Sequence, residues 1–417
     1  MNNRIDKERI HLMSPSAAVC AAAEIMPAVD EAALRAAIET VLRAHAILSC
    51  RVAMDADGEA RFVPNGAPVV SLEPFDGDAQ ARIASQQSIP FAIQSGELAR
   101  FFFHSEADRT RLVCAVHHVA CDGGSLVRLL RALLLALNGR AVAELPVRLL
   151  APNDLPAHPG LNPFLRLMMK RTNHRWQKSG RTFTADDFAA MQRAYAQMHP
   201  VRVQVRRLSP EALSALERLA HAHGVTINSL LTTAFAAAAR PGEKLGVAVD
   251  VRPEGFEGLG NFATAVGLPA KYDARASFLS NAKALHATLR GKLERPRERF
   301  FLYEFMRALA PTLVDSIYFC RWGETHNSVS EAAASLCGYT DSPSGLSLSN
   351  LKRLEMPDAL PVRYESLYFV PPYIPNVRAV VGMSTFQNTL TLALSAPNPF
   401  PEALLDTALA HLKTAME

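Results

Sequence analysis

Its six cysteines, Cys20, Cys50, Cys114, Cys121, Cys320 and Cys337, contain no C-x-x-C pair and no closely spaced ladder, so the sequence offers neither a zinc-ribbon ligand set nor a disulfide framework. A reduced, cytoplasmic setting is expected. Long apolar runs are also missing: the stretches 126–137 and 230–239 are interrupted by Arg128 and Arg131 or carry Thr232 and Thr233, and both fall short of the roughly 18 residues of a membrane span. Near the N-terminus Arg4, Lys7 and Arg9 precede an alanine-rich stretch, but Asp6, Glu8 and Glu24 break the pattern of a secretory signal. Charge of one sign is scarce as well. The 44 Lys and Arg against 40 Asp and Glu leave a net +4, too small an excess to indicate nucleic acid.

What remains is an ordinary globular composition, 49% hydrophobic and 20% charged, in a chain of 417 residues. That length exceeds what one hydrophobic core usually serves, so two domains are expected. Asp30 caps a helix whose Leu34, Ile38, Val41 and Leu42 recur at helical spacing, ending near His45. Residues 47–63 read as a hairpin around Asp57-Gly58. Strands follow at 100–104 and 111–118, then a helix over 126–137. Between 145 and 182, Pro146, Pro152, Pro156, Pro159 and Pro163 discourage regular structure, and a basic run follows. The expected division is therefore 1–165, a crossover linker over 166–200, and 201–417. The second part opens with the alternation of Val201, Val203 and Val205 and continues with a helix capped by Ser209 and Pro210 and closed by Gly224. Another helix starts at Thr226, and strands are expected at 246–251 and 389–395. The two halves share a loose order of strand, helix and strand, compatible with a structural duplication.

The most informative segment is His117-His118-Val119-Ala120-Cys121-Asp122-Gly123, at the end of an apolar strand. Strand alternation puts Leu112, Cys114, Val116 and His118 on one face and Val113, Ala115 and His117 on the other. The two histidines therefore point opposite ways, and a dyad acting on one substrate is not expected. An imidazole near its ordinary pKa of about 6.5 can take a proton from an attacking hydroxyl or amine at neutral pH. Asp122 could fix the loop that carries His118 without touching the ring, and Gly123 and Gly124 allow a sharp turn and a close approach. The bland alternative is a buried structural pair. Metal binding finds no support, because adjacent strand residues diverge and no H-E-x-x-H or Cys/His set supplies further ligands.

This heptapeptide resembles the H-H-x-x-x-D-G signature of the thioester-dependent acyltransferase superfamily, which includes chloramphenicol acetyltransferase, the condensation domains of nonribosomal peptide synthetases, polyketide-associated acyltransferases and bacterial wax ester synthases. Other segments fall in the order that family requires. Leu42-Arg43-Ala44-His45 before Leu48-Ser49-Cys50-Arg51 is similar to an early helix that delivers a histidine just before a strand. His223-Gly224-Val225-Thr226-Ile227-Asn228 resembles the helix opening the second half. Asp250-Val251-Arg252-Pro253 with Gly260-Asn261-Phe262 is similar to the strand and loop that carry the family's arginine and its G-N element. The resemblance runs from about Asp30 to Ser395.

It implies an α/β (α+β) fold of two chloramphenicol acetyltransferase-like subdomains, each a mixed sheet with helices, and an active-site tunnel between them. His118 would be the general base, accompanied by Asp122 in a structural pair with Arg252, with His117, Gly123 and Asn261 as supporting motif residues. No cofactor would be bound; acyl-CoA or a phosphopantetheine thioester would be a substrate, and a small hydroxyl or amine compound the acceptor. Coenzyme A or an acyl or peptidyl carrier protein is the expected partner, without nucleic acid, membrane span or metal, in a free-standing monomer serving secondary metabolism or lipid biosynthesis. Two alternatives accompany this: a stand-alone condensation enzyme forming an amide between carrier-bound substrates, and a condensation-like binding module without catalysis. The D-F-G-W-G motif of the plant branch is absent. In its place Leu346-Ser347-Leu348-Ser349-Asn350 looks like the bacterial serine and asparagine segment, where Ser347, Ser349 or Asn350 could meet an oxyanion or substrate, or the serines could simply face outward from a strand. Cys121 occupies a variable position of the motif and is not expected to be a nucleophile. The basic residues Lys170, Arg171, His174, Arg175, Lys178 and Arg181, like Arg295, Arg297 and Arg299, could meet phosphates or an acidic carrier, or be a solvated surface. Trp176 could stack on adenine or anchor the crossover.

Overall fold

The computed structural model describes residues 3–156, 160–179, 181–324 and 326–417. Its strands are β1 (Ala18–Met26), β2 (Cys50–Met54), β3 (Ala60–Pro64), β4 (Ser71–Pro74), β5 (Ala99–Ser105), β6 (Thr110–His117), β7 (Val201–Leu208), β8 (Lys244–Asp250), β9 (Ala263–Pro269), β10 (Leu346–Arg353), β11 (Arg363–Val370), β12 (Ala379–Phe386) and β13 (Thr389–Pro397). They form a sheet in the order β11-β1-β6-β5-β4, a second in the order β7-β13-β12-β10-β8-β9, and the hairpin β2-β3. Both large sheets are mixed. In the first only β4 and β5 run parallel, and in the second β10 is parallel to both of its neighbours.

The hydrophobic pattern explains the layers. β6 is buried on both faces and lies between β1 and β5, so its near-continuous apolar run marks a central strand rather than a half-exposed one. β1 contributes small residues, Ala18, Ala21, Ala22 and Ala23, all buried in the same core. Over this sheet pack the helices Glu31–Ala44 and Gly123–Leu137, which touch each other and turn Leu34, Ile38, Val41 and Leu42, and Leu126, Leu129, Leu130 and Leu133, inward. Each such leucine contributes about 1.5–3 kcal/mol by leaving water. A second core forms over β8, β10, β12 and β13 against the helices Pro210–His223, Ile227–Ala238, Phe278–Leu293 and Leu404–Met416.

Two expectations need correction. The segment taken as an irregular crossover is largely helical, with helices at Pro163–Ser179 and Ala185–Met198. The reason lies in the position of the last proline. Pro163 stands at the start of the first helix, where a missing N–H costs nothing, and Thr184 with Asp187 forms a capping box for the second. Pro159 lies outside the described residues. Nor does the chain divide cleanly at 201: β11, far into the second half, returns to pair with β1 along Cys20–Met26 and so completes the first sheet.

The N-terminal segment is tied to the same body from the far side. Arg9 donates to both carboxylate oxygens of Asp315, on the helix Pro311–Trp322, with both side chains only 2% exposed. One turn on, the Tyr318 hydroxyl donates to the Ile10 carbonyl. Removing one partner of a dry ion pair leaves the other charge uncompensated. Arg9→Met should therefore lower the free energy of unfolding by about 3 kcal/mol, and adding Asp315→Leu should restore most of the loss. Urea titration of both variants checks this; an equal loss in the double variant would place the cost in packing instead of charge.

Candidate active site

His118 lies one residue beyond the end of β6, where the chain leaves the first sheet. Its amide donates to the Ala17 carbonyl at 2.7 Å, and the Asn261 side-chain amide donates to its carbonyl at 2.9 Å, so its backbone is held from both halves of the molecule. The ring is fixed separately. Nδ1 sits 2.7 Å from the Cys121 carbonyl, which can only accept, so Nδ1 carries the proton and Nε2 presents a lone pair. Nε2 has no hydrogen-bond partner among the described residues and is not sealed from solvent, although the residue as a whole is only 8% exposed. Burial pulls its pKa down to about 4, opposed by the bond to Cys121, reinforced by the Lys7 charge and again opposed by Asp122. The ring is therefore neutral at pH 7.

His117 faces elsewhere, as strand alternation requires. Its Nδ1 accepts from the Val119 amide at 3.2 Å and its ring meets Phe91 edge-on, so it is a packed, structural imidazole. Cys121 is buried, and burial pushes its thiol well above the ordinary range.

Asp122 does not touch the imidazole. It is the N-cap of the helix Gly123–Leu137: Oδ1 accepts from the Ser125 amide at 2.7 Å, and Oδ2 accepts from the Phe262 amide at 2.7 Å. Arg252 reaches Asp122 Oδ1 at 3.3 Å and Ser125 Oγ at 2.7 Å, and it lies over the Phe262 ring. Ser125 Oγ in turn donates to the Gly260 carbonyl at 2.6 Å. The expected pairing of Asp122 with Arg252 is present, and it joins the two halves. Gly123 serves close approach rather than a positive φ, since a Cβ there would stand 2.7 Å from Leu351 Cδ2 and 3.1 Å from Phe369 Cζ.

Beside this junction lies a cavity of about 280 Å³ lined by Asp122, Gly123, Gly124, Asp250, Ser349 and Asn350, among others. Ser349 and Asn350 thus face the motif, whereas Ser347, two residues earlier on β10, is not part of the lining. Asn350 is held by Asn228, from the helix that opens the second half. The cavity meets the motif at Asp122–Gly124, and its lining does not include the His118 ring around which the tunnel was expected.

The residues missed in the sequence come from the N-terminal segment. Lys7 is 2% exposed, and its Nζ donates to the Asn261 and Ala263 carbonyls at 2.7 and 2.8 Å and to Asn261 Oδ1 at 3.2 Å. His11 places its ring 4.1 Å from that of His118, centroid to centroid, tilted by 49°. The only sequence signal was the four-residue spacing of Lys7 and His11, which is the period of one helical turn. Trp176 is buried and donates to Thr312 Oγ1, so it anchors its helix and is not open to a ring ligand. Lys170, Arg171, His174, Arg175 and Lys178 lie exposed on that helix. His45 ends the helix Glu31–Ala44, buried with both ring nitrogens sealed and unpartnered.

Burial holds His45 and His118 near about 4 and His117 near about 3. The unfolded chain protonates all three near the ordinary value of about 6.5, so below that pH it binds more protons than the native state. Their contribution to stability is complete above about 6.5 and lost as pH falls toward about 4, on the order of 1–2 kcal/mol each at pH 5. The carboxyls of Glu8 and Asp315, pushed up by burial, act in the opposite sense, so the measurement compares variants at each pH. His45→Leu should lose less stability than the parent between pH 7 and pH 5 in chemical denaturation. Parallel losses in the two proteins would contradict a neutral buried His45.

No protein-family model matches the sequence, and comparison with curated proteins yields no match. Solved structures do match. The condensation domain of the monacolin K polyketide synthase MokA superimposes with a TM-score of 0.64 at 14% identity, over 99% of this chain and 97% of that one. Polyketide synthase associated protein 5 from Mycobacterium tuberculosis gives 0.62 at 14% identity, over 99% and 97%. The first condensation domain of the CDA synthetase gives 0.61 at 15% identity, over 99% and 94%. At these identities the likeness is one of fold. It extends over nearly the whole chain, and with the two mixed sheets and the junction described above, this protein has the two-subdomain, chloramphenicol acetyltransferase-like fold of condensation domains.

Proposed function

We propose that this protein is an acyltransferase that moves an acyl group from a thioester, carried by coenzyme A or a carrier protein, to a hydroxyl or amine, with His118 as the general base. The observation that carries this is the state of one ring: Nδ1 is committed to the Cys121 carbonyl, while Nε2, at the meeting of the two halves, has no hydrogen-bond partner among the described residues and is not sealed. An imidazole so fixed is neutral and aimed before any substrate arrives.

In the step we envisage, the acceptor's oxygen or nitrogen bonds to the thioester carbonyl carbon while its proton passes to Nε2. The carbonyl electron pair moves onto oxygen, where a hydrogen-bond donor would stabilise the charge; Ser349, on the wall of the neighbouring cavity, is the candidate. Collapse re-forms the carbonyl and breaks the C–S bond, and the departing thiolate takes the proton from the imidazolium. No acyl-enzyme is required. Asp122 acts through the loop geometry, as an N-cap and interdomain anchor, and Arg252 and Asn261 hold that loop from the other side. No bound cofactor enters this scheme, because the thioester is itself a substrate. We place the protein in the cytoplasm as a monomer. Among the described residues no helix is long and apolar enough to cross a membrane.

Thiol release should be measured with a panel of acyl-CoA and acyl-carrier donors against alcohol and amine acceptors. The parent should turn over with at least one pairing, and His118→Ala should lose about two to four orders of magnitude in rate. Amine acceptors with carrier-bound donors would identify amide-forming condensation, and no release under any pairing would point to a binding module. With a hydroxyl acceptor, which does not itself titrate in this range, the base must be unprotonated and burial holds it near about 4, so kcat/KM should stay level from pH 7 to about 5 and fall as pH drops through about 4. An acid limb centred at 6.5 would mean that the ring is not held in this dry setting during turnover.

A further inference from the structure

The N-terminal segment that Arg9 pins to Asp315 brings a second imidazole to the same place. His11 lies on the helical turn Arg9–Leu12, and its ring rests 4.1 Å from the His118 ring at a 49° tilt. That turn is rigidly placed. Lys7 below it is held by three acceptors on the Asn261–Ala263 loop, Arg9 by Asp315, and the Ile10 carbonyl by Tyr318. His11 itself is half-buried, and neither of its ring nitrogens has a hydrogen-bond partner within the described residues, so nothing but packing holds it against His118.

We propose that His11 is a positioning residue of the transfer centre: its ring, packed at a tilt against that of His118, holds that imidazole in the orientation set by the Nδ1–Cys121 hydrogen bond and keeps water off that side. This rests on the reading of His118 as the base. A single hydrogen bond at Nδ1 leaves the ring free to rock about that contact, and a neighbour on one face removes this freedom, so the Nε2 lone pair keeps its direction while the acceptor approaches. Two imidazoles at this distance cannot both carry protons at low cost, so the pair holds at most one, and the His118 charge is an explicit cause of the lowered His11 pKa, after burial and before Lys7 and His117. The charged and titratable groups facing the pair are Lys7 from the N-terminal turn, Asp122 and the neutral His117 from the motif, and Arg252 behind Asp122. Only Asp122 among these favours an imidazolium at His118.

The test does not need turnover. In histidine-labelled protein without substrate, the nitrogen resonances of His118, assigned through His118→Gln, should titrate at acid pH in the parent. In His11→Ala the opened face should raise the His118 midpoint by about one pH unit or more. In His11→Phe, which restores a ring without a titrating group, the midpoint should return to the parent value or below. An unchanged midpoint in His11→Ala, or a raised one in His11→Phe, would overturn the proposal, and His11→Gln serves in place of His11→Ala should the alanine variant not fold. With an active donor and acceptor, His11→Ala should lower kcat about tenfold with little change in KM, and His11→Phe should recover most of it. A change in KM alone would also overturn it. Absence of transfer in the parent counts against the proposed function, and the nitrogen titration still decides the placement of His11.

Discussion

The junction depends on one carboxylate. Asp122 is buried, caps the helix that follows the histidine motif, and accepts a backbone proton from Phe262 across the interface while Arg252 closes on it from the same side. A carboxylate in such a place is tolerable only because its bonding sites are filled by charged or backbone donors. The consequence is mechanical. The loop 118–122 has no freedom to shift relative to the second half, since the Asp122 amide also binds the Gly260 carbonyl and Asn261 holds the His118 carbonyl. Whatever His118 does, it does from a platform shared by both subdomains.

Electrostatics at the ring follow from that platform. The same packing that fixes the imidazole also dries it, and drying favours the neutral form. Lys7 adds to this, although its own charge is satisfied by three acceptors, and Asp122 opposes it from the other end of the loop. His118 thus stands between a buried cation on an N-terminal turn and a buried anion on its own loop. Neither bonds to the ring. Among the described residues the only hydrogen bond the ring makes is to the Cys121 carbonyl three residues on, a local closure that any sequence adopting this turn can supply.

Much of this was legible in the residues. The alternation along 112–118 separated the two histidines, and the structure sends His117 toward Phe91 and His118 toward the junction. The caps at Asp30, Ser209 and Thr226 mark where helices begin, because a side-chain oxygen that satisfies an orphan amide is a strictly local device. The crossover was misread for an equally local reason: a cluster of prolines signals a loop only up to the last of them, and Pro163 starts a helix. The return of β11 to the first sheet left no local trace, because strand partners are chosen by what lies beside them in space and not by their own composition.

By itself the sequence determined the chemistry on offer, an imidazole at the end of an apolar strand, a carboxylate and two glycines after it, and an arginine and an asparagine more than a hundred residues away. Periodicity and capping are short-range, and so they also determined most of the helices and strands. Only the tertiary structure decided which of these meet. It brought Arg252 and Asn261 to the motif, set Ser349 and Asn350 on the neighbouring cavity wall, and folded Lys7 and His11 back across the His118 loop. The physical reason is that a buried charge or an unpaired lone pair has no preferred partner along the chain; its partner is whichever group the packed interior leaves within about 3 Å.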